Sequence, residues 1–266
     1  MLERSVTTVL SGSEPSMTTN TIKPFKFCTP DRWLRKPVEI CLIGVGGTGS
    51  EVLTSLARID YAIRELGHPG LQVTAWDDDV VERPNIGRQA FYPADLGHNK
   101  AIITIQRINY LYGRGWVAMP RMFDIEKDNA GRSFDLVITC VDVAQFRADL
   151  AKENATMYSN ALWLDTGNGS HNGQVILGRL CHGDQSPIKL PSVFDYYPEL
   201  DGMTDNNTPS CSMEEALANQ DLPINRAIAN VAMQLIWSLL RHGGLNHQGA
   251  YMDIRNGTQT PINIFE

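Results

Sequence analysis

LIGVGGTGS at residues 42–50 is the stretch that decides the fold. It leaves a short apolar run at 38–45 and enters a helical pattern at 50–66, so it reads as strand, glycine turn and helix in succession. Gly44, Gly46 and Gly49 fit the spacing G-x-G-x-x-G. At such a corner the first glycine permits a tight turn. The second lets the backbone approach a phosphate, and the third lets the helix pack close to the strand. Gly47 and Thr48 stand among them, where amides freed at the helix start face an anion. A glycine turn with no ligand is the plainer alternative. The loop alone does not separate ATP from NAD or FAD.

Working outward, Val52, Leu53, Leu56, Ile59, Ile63 and Leu66 share one helical face, and Gly67-His-Pro-Gly stops that helix. Strands are expected at 71–76, 116–123, 134–140, 162–165 and 174–180, with helices at 100–112 and about 143–158. Residues 182–210 have no clear period, and a loop that long in a compact domain is usually functional. The next helix carries Pro223 near its start and a stripe of Ile228, Val231, Leu235, Ile236 and Leu239, and it ends at Gly243-Gly244. The tail at 249–264 contains Asn256-Gly257 and reads as a β-hairpin. Strands alternating with helices imply an α/β fold. The expected form is Rossmann-like: a mostly parallel sheet with helices on both faces, plus the C-terminal hairpin. It would occupy 23–266 as one domain, with a long crossover excursion at 182–222 and a disordered tail at 1–22.

Ligands on such sheets bind where the strands end. WDDDVVERPNIGRQ at 76–89 and Asp142 both fall there. Asp77 alone would suffice to hold a ribose. Asp77, Asp78 and Asp79 together repel one another and favour a cation or donor-rich partner nearby. Asn85, Arg88 and Gln89 follow, then Lys100. Arg88 offers a planar fork for phosphate oxygens and Lys100 a point charge. Asp142 follows a strand ending at Cys140, where magnesium bridging a triphosphate would need a carboxylate. The plainer readings are a solvated loop with Arg88 paired to one of its acids, and Asp142 as a helix N-cap.

Composition narrows the partners. The 266 residues suffice for a well-filled core, and 42% hydrophobic with 20% charged is ordinary for a soluble globular chain. A net charge of −7 argues against nucleic acid, since a duplex binder usually shows a basic face. No apolar run reaches the ~18–20 residues that span a bilayer, so no membrane role is expected. The first twenty residues lack the basic start and apolar stretch of a secretion signal. Five scattered cysteines without a Cys-x-x-Cys pair fit a reducing cytoplasm.

The order GVGGTGS, then DDDVVERPNIGRQAFYPADLGHNKA, then CVDVAQFR resembles the ThiF/MoeB/HesA superfamily, relatives of the ubiquitin-activating enzymes. The likeness covers 38–180 and, more loosely, the C-terminal helix. The stretch PSCSMEEALANQDLPINRAIANVAMQLIW also resembles ThiF-type proteins of the plasmid-associated PRTRC cassette. The resemblance implies adenylation of the C-terminal carboxylate of a ubiquitin-like or sulfur-carrier protein, with ATP and magnesium. It implies that Gly44, Gly46, Gly47 and Gly49 line the phosphates and that Asp77 holds the ribose, with Asp79 in the same motif. Asn85, Arg88 and Lys100 would bind the triphosphate, and Asp142 the magnesium. It also implies a homodimer, often with an arginine lent by the partner subunit; Arg32 and Arg35, which precede the first strand, are the candidates. The family's zinc-binding Cys-x-x-Cys pairs are absent, so no zinc is expected. The family's usual Asn after the magnesium acid is Val143 here.

Cys211 lies where some family members carry a thioester-forming or sulfur-transferring cysteine. A cysteine near a helix start can be nucleophilic; a small buried residue is the alternative. Three other readings compete with adenylation of a protein terminus. They are a nicotinamide-dependent oxidoreductase, an ATP-binding scaffold that transfers nothing, and adenylation of a modified tRNA base.

Overall fold

Strand β1 (Val38–Ile43) is covered on both faces: Ile40 and Leu42 join one apolar cluster, Cys41 and Ile43 the other. A strand buried on both sides has no polar stripe, which explains the unbroken apolar run. The structure is a computed structural model that describes residues 25–157, 159–181, 189–203 and 213–264. The expected tail at 1–22 and Cys211 lie outside the described residues.

After β1 come α1 (Gly47–Glu65), β2 (Leu71–Trp76), α2 (Lys100–Tyr112), β3 (Val117–Met119), β4 (Leu136–Thr139), α3 (Ala144–Asn154), β5 (Leu162–Asn168) and β6 (Asn172–Arg179). Then follow α4 (Met213–Asn219), α5 (Ile224–Trp237), β7 (His247–Asp253) and β8 (Thr258–Asn263). The eight strands form one sheet in the order β8-β7-β6-β5-β4-β1-β2-β3. Pairing is parallel from β5 across to β3 and antiparallel from β5 out to β8. Residues from α1, α2 and α5 fill the cluster on one face. The other face is covered by Leu150 and Ala151 of α3 and by Val193. No helix among the described residues is long and apolar enough to cross a membrane.

The differences from expectation are local. The strand expected at 116–123 is only Val117–Met119, because Trp116 turns into the core and gives its indole N–H to the Leu71 carbonyl at 3.2 Å. The strand expected at 162–165 runs on to Asn168, zipped to β6. Helix α1 starts three residues early, inside the glycine loop. Helix α5 relaxes into a wider turn at Ser238–His242 before Gly243 reverses it at φ +88°. The excursion is not without structure: Val193–Tyr196 is a helical turn capped by Ser192.

Candidate functional site

From β1 the chain steps outward through β2 to β3, then returns to β4 on the opposite side of β1. The loops leaving β1 and β4 therefore diverge, which opens a crevice at their carboxyl ends. A cleft of about 1010 Å³ lies there. Gly44, Gly46, Gly47, Thr48, Asp77, Asp79, Arg88, Gln89, Lys100 and Asp142 all line it. Gly49 is buried behind it and Asn85 is not on its wall.

The glycine loop is shaped by close approach. Gly44 sits at φ +90°, and a Cβ there would lie 2.8 Å from the Cys140 carbonyl oxygen. Gly47 faces the side chain of Asn225, which occupies the space a Cβ would take. The Thr48 hydroxyl bonds Asn168 at 3.2 Å and Asn225 at 3.3 Å.

The acid loop is tied to both neighbours. Asp77 accepts the Val45 N–H at 2.6 Å and the Asp79 N–H at 2.9 Å. Burial nevertheless pushes its carboxyl above the usual range. Asn99 caps α2 by accepting from Ile102 at 3.0 Å, and its amide donates to the carbonyls of Asp77 and Asp79. This puts Lys100 at the first helical position, side chain buried, with Nζ 2.8 Å from the exposed Asp79 carboxylate. The ligand oxygens of Asp77, Asp78 and Asp79 lie within 4.8 Å of one another, the only such metal-compatible group among the described residues.

Arg88 does not pair with these acids. Its guanidinium donates to Gln220 Oε1 at 2.8 Å, and no carboxylate bridges it among the described residues. Burial lowers its affinity for a proton. Asn85 serves the loop itself: its Oδ1 accepts the Glu82 N–H at 2.8 Å and its carbonyl accepts the Gln89 N–H at 2.9 Å.

Asp142 is exposed at the mouth, and Val143, not Asp142, is the N-cap of α3. Beneath them lies a pair that the sequence reading missed. Arg147 meets Asp165 at 2.8 Å, both buried, and donates to the carbonyls of Val141 at 2.7 Å and Thr166 at 3.1 Å. That braces the loop holding Asp142. Cys140 lines the cleft, but burial raises its thiol to about 12, so it stays protonated. Asn168, Gln220 and Asn225 were also missed. Single amides in polar stretches give no periodic signal; Asn225, three residues before Ile228 and so on the apolar stripe of α5, was the one available clue. Arg32 pairs with Asp135, at the amino ends of the strands and so away from the cleft in this chain.

Comparison with known proteins gives a fold and a family. A model of the ThiF family matches residues 31–263. No curated protein matches the sequence. Among solved structures, PaaA is similar with TM-score 0.59 at 15% identity, over 88% of this chain and 66% of that one. E. coli MccB with AMPCPP and MccA gives 0.57 at 15%, over 88% and 65%. E. coli MccB with ATP gives 0.52 at 14%, over 88% and 65%. The chain thus spans just under two thirds of the length of these structures, and identities this low speak for fold alone.

Proposed function

Because the chain belongs to the ThiF family, we propose that its cleft binds ATP and transfers AMP to the C-terminal carboxylate of a small ubiquitin-like or sulfur-carrier protein. The carrying observation is convergence. A glycine turn, a strand-end acid, an arginine, a buried lysine and a second acid come together at the divergence of β1 and β4. The MccB structures with ATP and AMPCPP are consistent with a nucleotide in this fold. A scaffold for NAD alone would not call for Arg88 and Lys100.

The glycine loop presents amides to the phosphates, and Asp77 faces the ribose. The substrate carboxylate, already ionised at neutral pH, attacks the α-phosphorus without a general base. A bond forms between a carboxylate oxygen and the α-phosphorus, the bond from that phosphorus to the oxygen bridging to the β-phosphate breaks, and pyrophosphate departs with that oxygen and the electron pair. Arg88 and Lys100 stabilise charge on the phosphoryl oxygens as it builds. The donor set suits a hard cation: Asp142 would hold magnesium, with the Asp77–Asp79 carboxylates at the same mouth. Bound there, magnesium supplies charge neutralisation to the triphosphate. The same reading carries a homodimer working in the cytoplasm, within a plasmid-associated cassette, with Cys211 as the seat of any later thioester.

Pyrophosphate–ATP exchange in the presence of candidate small proteins tests this. Exchange should require an intact partner C-terminus and fall on the order of 100-fold in Lys100→Ala and Asp142→Ala. Full activity in either variant would overturn the assignment. Tight ATP binding with no exchange for any partner would favour the second reading, a non-transferring ATP-binding scaffold. The feature that supports it is Val143, apolar and exposed beside Asp142.

A further inference from the structure

Asn225 and Gln220 form an amide clasp on the cleft wall that composition and spacing gave no reason to suspect. Asn225 is almost wholly buried. Its Oδ1 accepts from Thr48 at 3.3 Å and from Asn168 at 3.3 Å. Its Nδ2 donates to the Arg88 carbonyl at 3.3 Å and to Gln220 Oε1 at 3.1 Å. The same Gln220 oxygen takes the Arg88 guanidinium at 2.8 Å, and Gln220 Nε2 reaches the Gly169 carbonyl at 3.4 Å. One neutral pair of amides therefore joins the glycine turn, β5 and the arginine.

The choice of partner is informative. A half-buried guanidinium ordinarily finds a carboxylate, because a desolvated charge without a counter-ion is costly. Here desolvation already lowers the Arg88 pKa, yet among the described residues only a neutral carbonyl receives it. An amide fixes direction while leaving the positive charge uncancelled. Arriving phosphate would then gain a charge-assisted bond that no acid among the described residues has to surrender.

We infer that Gln220 is a positioning residue, which aims Arg88 into the cleft and keeps its charge available to an anionic ligand. The inference rests on the ATP-binding reading above. Glutamate at this position retains the acceptor oxygen and nearly the same shape, but it would pair with Arg88 and neutralise it.

The test compares wild type, Gln220→Glu and Gln220→Ala by isothermal titration with AMPPNP and magnesium, and by melting with and without the nucleotide. Gln220→Glu should melt no lower than wild type without nucleotide, since it gains an ion pair. It should bind AMPPNP on the order of tenfold more weakly and lose most of the nucleotide-induced rise in Tm. Gln220→Ala should lose less affinity than Gln220→Glu, because the arginine is loosened but not neutralised. Unchanged affinity in Gln220→Glu overturns the inference. So does equal loss in both variants accompanied by lower melting without nucleotide, which marks a merely structural amide. Should Gln220→Glu fail to fold, Gln220→Ala with wild-type affinity overturns it alone. Wild type that binds no AMPPNP removes the parent reading instead.

Discussion

Gly44 and Gly46 separate two jobs that one motif performs. Gly44 holds a left-handed φ of +90° against the Cys140 carbonyl, so Gly44→Ala should cost about 1–3 kcal/mol of stability. Nothing lies within 4 Å of a Cβ built at Gly46, but its φ of −78° comes with a ψ of −140°, outside the regions an L-residue ordinarily occupies. Gly46→Ala should therefore cost about 1 kcal/mol in denaturant unfolding from backbone strain alone, with no clash added, while weakening nucleotide binding, because the new methyl points into the cleft. Equal destabilisation by both would refute this division. Residues of this kind were legible in the sequence because their meaning is local: a glycine at fixed spacing, an acid at a strand end, an arginine a few residues on. Asn168, Gln220, Asn225 and the Arg147–Asp165 pair were not. Apart from the local Gln220–Asn225 and Arg147–Val141 bonds, most of their partners stand 18 to 177 residues away in the chain, and only the folded sheet brings them together.

Between elements, the clearest hidden tie is Asp60. It is fully buried in α1, bonds Arg64 at 2.9 Å, pairs with Arg114 at 2.5 Å, and accepts the Leu71 N–H at 2.6 Å. One carboxylate thus joins the end of α1, the start of β2 and the turn after α2. Asp60→Ala should destabilise the fold by about 2–3 kcal/mol in urea, the partly solvated arginines limiting the loss. It lies at the far end of the sheet from the cleft, so AMPPNP affinity should be kept; a loss of affinity at unchanged stability would contradict that placement. The apolar stripes marked α1, α2 and α5 well, and the turn at Asn256-Gly257 marked the β7–β8 hairpin. What failed was the ends of elements. Trp116 counted as strand although its ring packs inward, and β5 was cut short because Gly167 and Asn168 look like turn residues until β6 pairs with them.

At the scale of the whole molecule, two histidines set a pH dependence. Burial lowers the pKa of both His68 and His247 below the ordinary 6.5. Between those lowered values and 6.5 the unfolded chain binds more protons than the native one, so stability falls as pH drops through that window and is full above it. The melting temperature should decline from pH 7.5 to pH 5.5, and a His68→Gln/His247→Gln double variant should flatten that decline; an equally steep profile in the double variant would exclude these two groups as its source. The protein is also acidic overall, at −7, so its long-range field turns anions away. The Lys100–Asp79 pair extends that refusal to close range. Chloride or a lone orthophosphate has little to offer in exchange for a carboxylate already seated on the ammonium. A polyphosphate brings several oxyanions at once, and the displaced Asp79 returns cheaply to the water it already touches. On the proposed reading, any anion that reaches the Lys100 ammonium must first dislodge Asp79, a condition that the linked charges of a triphosphate meet more readily than a single small ion does.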